Sequence, residues 1–271
     1  MFPAESIYNR FWCSISSART GIQLSPTAVT KRPAGKKRKA NSGPVRHSIF
    51  ELAAPDRKPG EVLGDYAYRV LREAIRAGVF ESGDHLREAD VASWLEISRT
   101  PVREAFHRIV SEGLLVIGSW NGAMVAQLDA QQLVDLYAVR ALLEGAAASL
   151  AAEHASRVEI KNLFAIADKE KAARNDPAAL VIINAELHQA IYSAAHNRYL
   201  LQSLNTIVDT LGLLRHSTFV LPGSIELAHK EHLGILRAIR DGDSKKAEEL
   251  ASAHINNALE LRLQLLQEKK K

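Results

Sequence analysis

Hydrophobic positions follow a helical period over most of the chain after residue 62, and a strand-like pattern over one short stretch only. Tyr66, Val70, Ala74 and Ile75 form a stripe that stops at Gly78, so a helix is expected there. Residues 80–84, Phe-Glu-Ser-Gly-Asp, read as a turn. Ala89 to Leu95 reads as a short helix, and a second runs from Ser98 to about Ser111, closed by Gly113. Leu114–Ile117 and Ala123–Leu128 are apolar enough for two strands. Ser119-Trp120-Asn121-Gly122 joins them, and Asn-Gly is a strong hairpin signal. Three helices followed by a hairpin is the order of a winged helix-turn-helix.

After Asp129 no strand pattern recurs. Amphipathic helices are expected at 130–154, 156–173, 177–195, 198–219, 225–241 and 243–268, with Asp176-Pro177 and Asp241-Gly242-Asp243 between them. The predicted fold is therefore mainly α: a winged helix-turn-helix over 62–128, then an all-α helical bundle over 130–268. A chain of 271 residues is long enough for two cores.

Residues 1–60 show no sustained period. They include Lys31-Arg32-Pro33 and Lys36-Lys37-Arg38-Lys39 and are expected to form a basic, disordered arm, or an accessory arm on DNA phosphates. An over-extended start is a third reading, because Met124 is the only other methionine. This arm also explains the net charge of +4. Residues 1–58 hold 11 Lys/Arg against 3 Asp/Glu, and the remainder holds 24 against 28. Global charge is thus no argument for nucleic-acid binding; local residues must carry it. One cysteine, Cys13, cannot form an internal disulfide, which fits a reducing cytosol. Apolar runs such as Leu180–Ile183 are far too short for a membrane span, so a cytoplasmic protein is expected, at the nucleoid when on DNA.

The local case lies in Ser98–Val110. Val102, Ala105, Phe106, Ile109 and Val110 fall at i, i+3, i+4, i+7 and i+8 and make one buried face. Arg103 and His107 point away from it, and Arg99 stands at the exposed start. A recognition helix needs this: an apolar face to lock it down, and N-terminal side chains that reach base edges in the major groove. Arginine can bond guanine at two points. Ser98 and Thr100 suit phosphate contacts or a cap at the helix start, and Pro101 is tolerated in a first turn.

Ser98-Arg99-Thr100-Pro101-Val102-Arg103-Glu104-Ala105, then Glu112-Gly113-Leu114-Leu115, resembles the recognition helix and first wing strand of GntR-family regulators. The resemblance implies that Arg99 and Arg103 contact bases of a double-stranded operator, and that Gly122 lets the wing approach the minor groove. Some members carry an arginine where this chain has Ala89; Arg87, two residues earlier, is the candidate substitute.

In the helical half, His188, His232 and His254 lie on three predicted helices and all face inward. Each alone is commonly a hydrogen-bonded core histidine; three together suit a transition metal. Asn184 precedes His188 by one turn on the same face. Arg140 with Glu144 and Ala146-Ala147, Asn184-Ala185-Glu186-Leu187-His188, Glu231-His232 and His254 resemble the FCD ligand-binding domain of the FadR subfamily. That resemblance implies a divalent metal, Zn or Ni, held by Asn184, His188, His232 and His254. It also implies a small organic or sugar acid as effector, with Arg140 pairing its carboxylate; an Arg140–Glu144 salt bridge is the alternative. The function expected is a homodimeric, ligand-responsive repressor. The rival is a metal-dependent enzyme of the helical half, but only one Glu-x-x-His motif is present, Glu226–His229, where a di-iron bundle needs two.

Overall fold

The computed structural model describes residues 54–118, 122–214 and 217–268. They form two compact units that divide between Ala126 and Gln127.

The first unit contains α1 (Leu63–Arg76), β1 (His85–Arg87), α2 (Glu88–Trp94), α3 (Arg99–Ser111), β2 (Leu115–Ile117) and β3 (Gly122–Val125). The strands form an antiparallel sheet in the order β1-β3-β2, with His85 opposite Met124 and Leu115 opposite Val125. Leu71, Ile75, Phe80, Leu86, Ile109 and Leu114 make the core, with Phe80 edge-on to Trp94 at 6.2 Å. The turn between α2 and α3 pivots on Glu96, at a φ of 55°.

Three sequence expectations change here. β1 was not expected; it contains one apolar residue, Leu86, too little for a strand pattern. The second wing strand stops at Val125 rather than at residue 128. Ser98 sits at the N-cap of α3 in an extended conformation, but its side chain makes no capping hydrogen bond. The expected hairpin tip, residues 119–121, lies outside the described residues, as does the arm up to residue 53.

The second unit is helical: α4 (Ala130–His154), α5 (Arg157–Ala172), α6 (Pro177–Ala194), α7 (Arg198–Leu211), a 3₁₀ turn (Thr218–Val220), α8 (Ser224–Arg240) and α9 (Ser244–Glu268). Most of its helix starts are capped by side chains. Asp129 with Gln132, and Ser156 with Glu159, form reciprocal capping boxes, while Asp176 and Asn197 each accept two backbone N–H groups. The core joins Ala148, Leu163, Ile166, Leu187, Leu236 and Ile239. Long helices α4 and α9 pack closely because position 145 is glycine; a Cβ there would run into the Ser252 hydroxyl and press on Glu248. α7 ends at Leu211, not at 219 as the apolar run through Leu213 and Leu214 suggested; Gly212 follows as its C-cap. No helix among the described residues is long and apolar enough to cross a membrane.

Candidate metal centre and nucleic-acid interface

α6, α8 and α9 each turn one histidine into the bundle. His188 follows Leu187 on the buried face of α6. His232 shares a stripe with Ile235, Leu236 and Ile239, and His254 follows Ala247 and Ala251. All three are buried, and one ring nitrogen from each lies within 4.8 Å of the others. The opposite nitrogens are held by carboxylates. Nδ1 of His188 meets Glu144 Oε2 at 2.6 Å, Nδ1 of His232 meets Glu170 Oε1 at 2.8 Å, and Nδ1 of His254 meets Glu231 Oε2 at 2.7 Å. This fixes which nitrogen faces inward. A neutral imidazole that donates Nδ1–H to a carboxylate keeps its lone pair on Nε2.

The electrostatics favour that state for His232 and His254. Burial pushes His232 below the usual histidine range and His254 down to about 4, with Glu170 and Glu231 only partly offsetting it. Burial would raise the three carboxyls, but their partners reverse this. Arg140 and His188 hold Glu144 well below the carboxylate range, His232 and His229 lower Glu170, and His254 and Asn257 lower Glu231. Three anionic carboxylates thus orient the three rings.

The inward nitrogens are left without a good partner. Nε2 of His188 is buried with no hydrogen bond, and Nε2 of His232 faces Nε2 of His254 at 3.3 Å. Two neutral imidazoles with their protons on Nδ1 cannot satisfy each other there; a cation satisfies all three. The donor set fits a borderline transition metal, and the histidine–carboxylate pairs are the support such ligands use.

Asn184 lies one turn before His188, half-buried, and makes no hydrogen bond among the described residues. Arg140 is buried, and its Nε donates to Glu144 Oε1 at 2.5 Å, so the ion-pair alternative describes its contact in this structure. The guanidinium also lies over the Tyr137 ring at 5.2 Å. Sequence reasoning did not single out Glu170 and Glu231 as supports. Glu170 had a signal: it continues the buried stripe of Leu163, Ile166 and Ala167 along α5, where an unpaired charge is costly.

In the first unit, α3 buries Pro101, Val102, Ala105, Phe106 and Ile109 and exposes Arg99, Thr100, Arg103 and His107, with Ser98 exposed before it. Arg99 has no ion pair or hydrogen bond among the described residues. Arg103 is held by Glu88, and Arg87 by Asp90 at 2.7 Å. Arg108, on the flank, is drawn onto α1 by Asp65 at 2.6 Å and by the Tyr68 ring at 3.9 Å. A cleft of about 60 Å³ opens between α3 and the sheet, lined by Glu88, Arg103, His107, Ile117 and Gly122 among others. The structure gives Gly122 a local reason to be glycine: a Cβ there would run into the carbonyl oxygen of Leu86 on the paired strand β1.

Comparison with known proteins places both units. Residues 63–125 match "Bacterial regulatory proteins, gntR family", and residues 135–257 match the FCD domain. The "Probable D-xylose utilization operon transcriptional repressor" of Paenarthrobacter nicotinovorans is 32% identical over 184 residues, which is 67% of this chain and 80% of that one. The chain belongs to the GntR family. Its FCD domain fits the FadR subfamily. The uncharacterized HTH-type transcriptional regulator YdhC of Bacillus subtilis (strain 168) is 27% identical over 75% of this chain and 92% of its own. Escherichia coli McbR/YncC shares the fold, with a TM-score of 0.68 at 20% identity, covering 76% of this chain and 99% of that one. This GntR protein is thus a DNA-binding transcriptional regulator, with a winged helix-turn-helix followed by a helical FCD domain. The matching families and relatives are regulators rather than enzymes, which removes the metalloenzyme alternative.

Proposed function

We propose that this GntR regulator is a homodimeric, cytoplasmic repressor whose operator affinity is set by a small organic or sugar acid bound beside a divalent metal in the FCD domain. The observation that carries the reading is the convergence of three buried Nε2 atoms, each ring held from behind by a buried or partly buried glutamate. His188, His232 and His254 would hold the ion, Zn or Ni by donor type, with Asn184 as a further ligand. When bound, the metal supplies a Lewis-acid position for a carboxylate oxygen. Arg140, fixed through Nε by Glu144, would turn its terminal amino groups to the same anion.

On the DNA side, Arg99 and Arg103 read base edges, Arg87, Ser98 and Thr100 set the register on phosphates, and His107 extends the same face. Gly122 keeps the wing strand close to β1. Exposed Val134, Val139 and Leu142 on α4 give a second copy an apolar face to cover. Several relatives are named repressors, among them RspR and GlaR of E. coli, and the Paenarthrobacter relative is named for a sugar-utilization operon.

The test is an operator-binding titration by fluorescence anisotropy, using DNA from upstream of the chain's own gene, a panel of small hydroxy and sugar acids, and protein with and without added Zn or Ni. At least one acid is expected to shift operator affinity about 5–150-fold, and only in metal-loaded protein. Equal affinity for operator and random DNA would sink the DNA-reading assignment. The same shift with and without metal would sink the role of the histidines.

A further inference from the structure

The cationic side chains on the exposed face of α3 are not equivalent. Arg99 is unpaired among the described residues, whereas Arg103 is held by Glu88, the first residue of α2. The hold is specific to one edge of the guanidinium: Nε donates to Oε1 at 3.0 Å and Nη2 to Oε2 at 2.9 Å. A guanidinium has two edges for two-point donation, the side edge (Nε with Nη2) and the end edge (Nη1 with Nη2). Glu88 takes the side edge and leaves Nη1 on the end edge without a partner among the described residues.

Glu88 is also the more anchored member of the pair. Its side chain is 16% exposed against 60% for Arg103. With Arg103 this exposed, the contact with it adds little to stability, although an acid in the first turn of α2 also suits the helix dipole. An acid on a surface that approaches a polyanion also weakens binding to any DNA. Raw affinity therefore does not explain why Glu88 holds Arg103, and the helix dipole needs only an acid at this position, not its contact with Arg103.

We propose that Glu88 is a specificity-determining positioning residue: it holds Arg103 with its end edge directed at the O6 and N7 of a guanine in the major groove, and its charge opposes a drift of Arg103 onto phosphate. Arg87 and Asp90 repeat the arrangement beside it, with Nε and Nη2 of the arginine on the carboxylate at 2.7 and 3.2 Å. The inference rests on the DNA-reading proposal above, and it adds a residue that never needs to touch a base.

The experiment uses the full-length chain. The probe is the duplex enriched by the wild type from a random-sequence pool, with a scrambled duplex as reference; affinities are read by anisotropy at fixed salt. Glu88→Gln and Glu88→Ala are expected to raise affinity for the scrambled duplex. They should also cut the ratio of selected to scrambled affinity about tenfold, at a temperature where circular dichroism shows both variants folded. Glu104→Gln, which removes one charge from α3 at a site outside this pair, is expected to leave the ratio as it is. In an Arg103→Ala background, Glu88→Gln should change the ratio no further. A ratio within about twofold of wild type for both Glu88 variants overturns the proposal, as does an undiminished effect in the Arg103→Ala background. If the wild type enriches no sequence, the DNA-reading proposal falls first and takes this one with it. That failure is recognisable because it precedes any variant.

Discussion

Glu170→Gln isolates the support behind one histidine without removing a ligand or a side chain's volume. Glu170 is buried and holds two rings at once, His232 through Oε1 at 2.8 Å and His229 through Oε2 at 2.9 Å. The amide keeps one oxygen acceptor for His232 but loses the negative charge. A hydrogen bond to a charged group is worth roughly 1.5–3 kcal/mol, and a neutral one about 1 kcal/mol. The loss at His232 is therefore about 0.5–2 kcal/mol. Its ring then donates electron density less strongly and sits less firmly, and supports of this kind are typically worth about 10–100-fold in metal affinity. Competition against a chromophoric chelator, with zinc at neutral pH, would read the change. Glu186→Gln is the control: Glu186 is exposed on α6 and pairs only with Lys169 among the described residues. Zinc affinity within about twofold of wild type for Glu170→Gln, with an intact circular dichroism spectrum, would refute the reasoning.

Other outcomes follow from single contacts. Arg103→Ala should lower sequence-specific binding by about 1–3 kcal/mol without lowering the melting temperature, as measured by anisotropy beside a thermal melt. Gly122→Ala should destabilise the first unit by about 1–3 kcal/mol, because its Cβ meets the Leu86 carbonyl and the β1–β3 pairing must open; urea denaturation would show it, and a wild-type midpoint would contradict it. Arg69→Ala should cost about 1 kcal/mol near neutral pH, with a difference from wild type that shrinks in acid. The hydrogen bond from Arg69 lowers Glu61 to about 2 from its ordinary 4.5, so the pair's contribution is complete above 4.5 and is lost as pH falls toward about 2. A difference that grows on acidification would contradict this assignment.

Much of the architecture was legible because long helices announce themselves. α4 was readable over its full length, since Asp129 caps it and Ala155 ends it. The short elements were not. β1 is three residues with one apolar side chain, and it exists because Leu86 pairs across the sheet with Ala123. The end of α7 was overread because Leu213 and Leu214 continue its apolar run. In the bundle, the inward histidines were visible from their stripes and Glu170 from its own, but which carboxylate meets which ring was not. Glutamate is common on helix surfaces, and Glu170 and Glu231 meet their histidines across 62 and 23 positions of sequence. Such pairings are set by how α5, α8 and α9 pack, which no local pattern encodes. Arg140 is a middle case: the i,i+4 spacing to Glu144 is a sequence feature, but the extension from Glu144 to His188 is tertiary.

The three imidazoles are proposed as metal ligands, and the metal content of the purified chain tests that most directly. Protein equilibrated with zinc or nickel, then desalted and measured by mass spectrometry of the metals, is expected to retain about one ion per chain. His232→Ala combined with His254→Ala should retain almost none, because two of the three converging donors are gone. A folded wild type that keeps neither metal, or a double variant that keeps as much as the wild type, would contradict the metal centre.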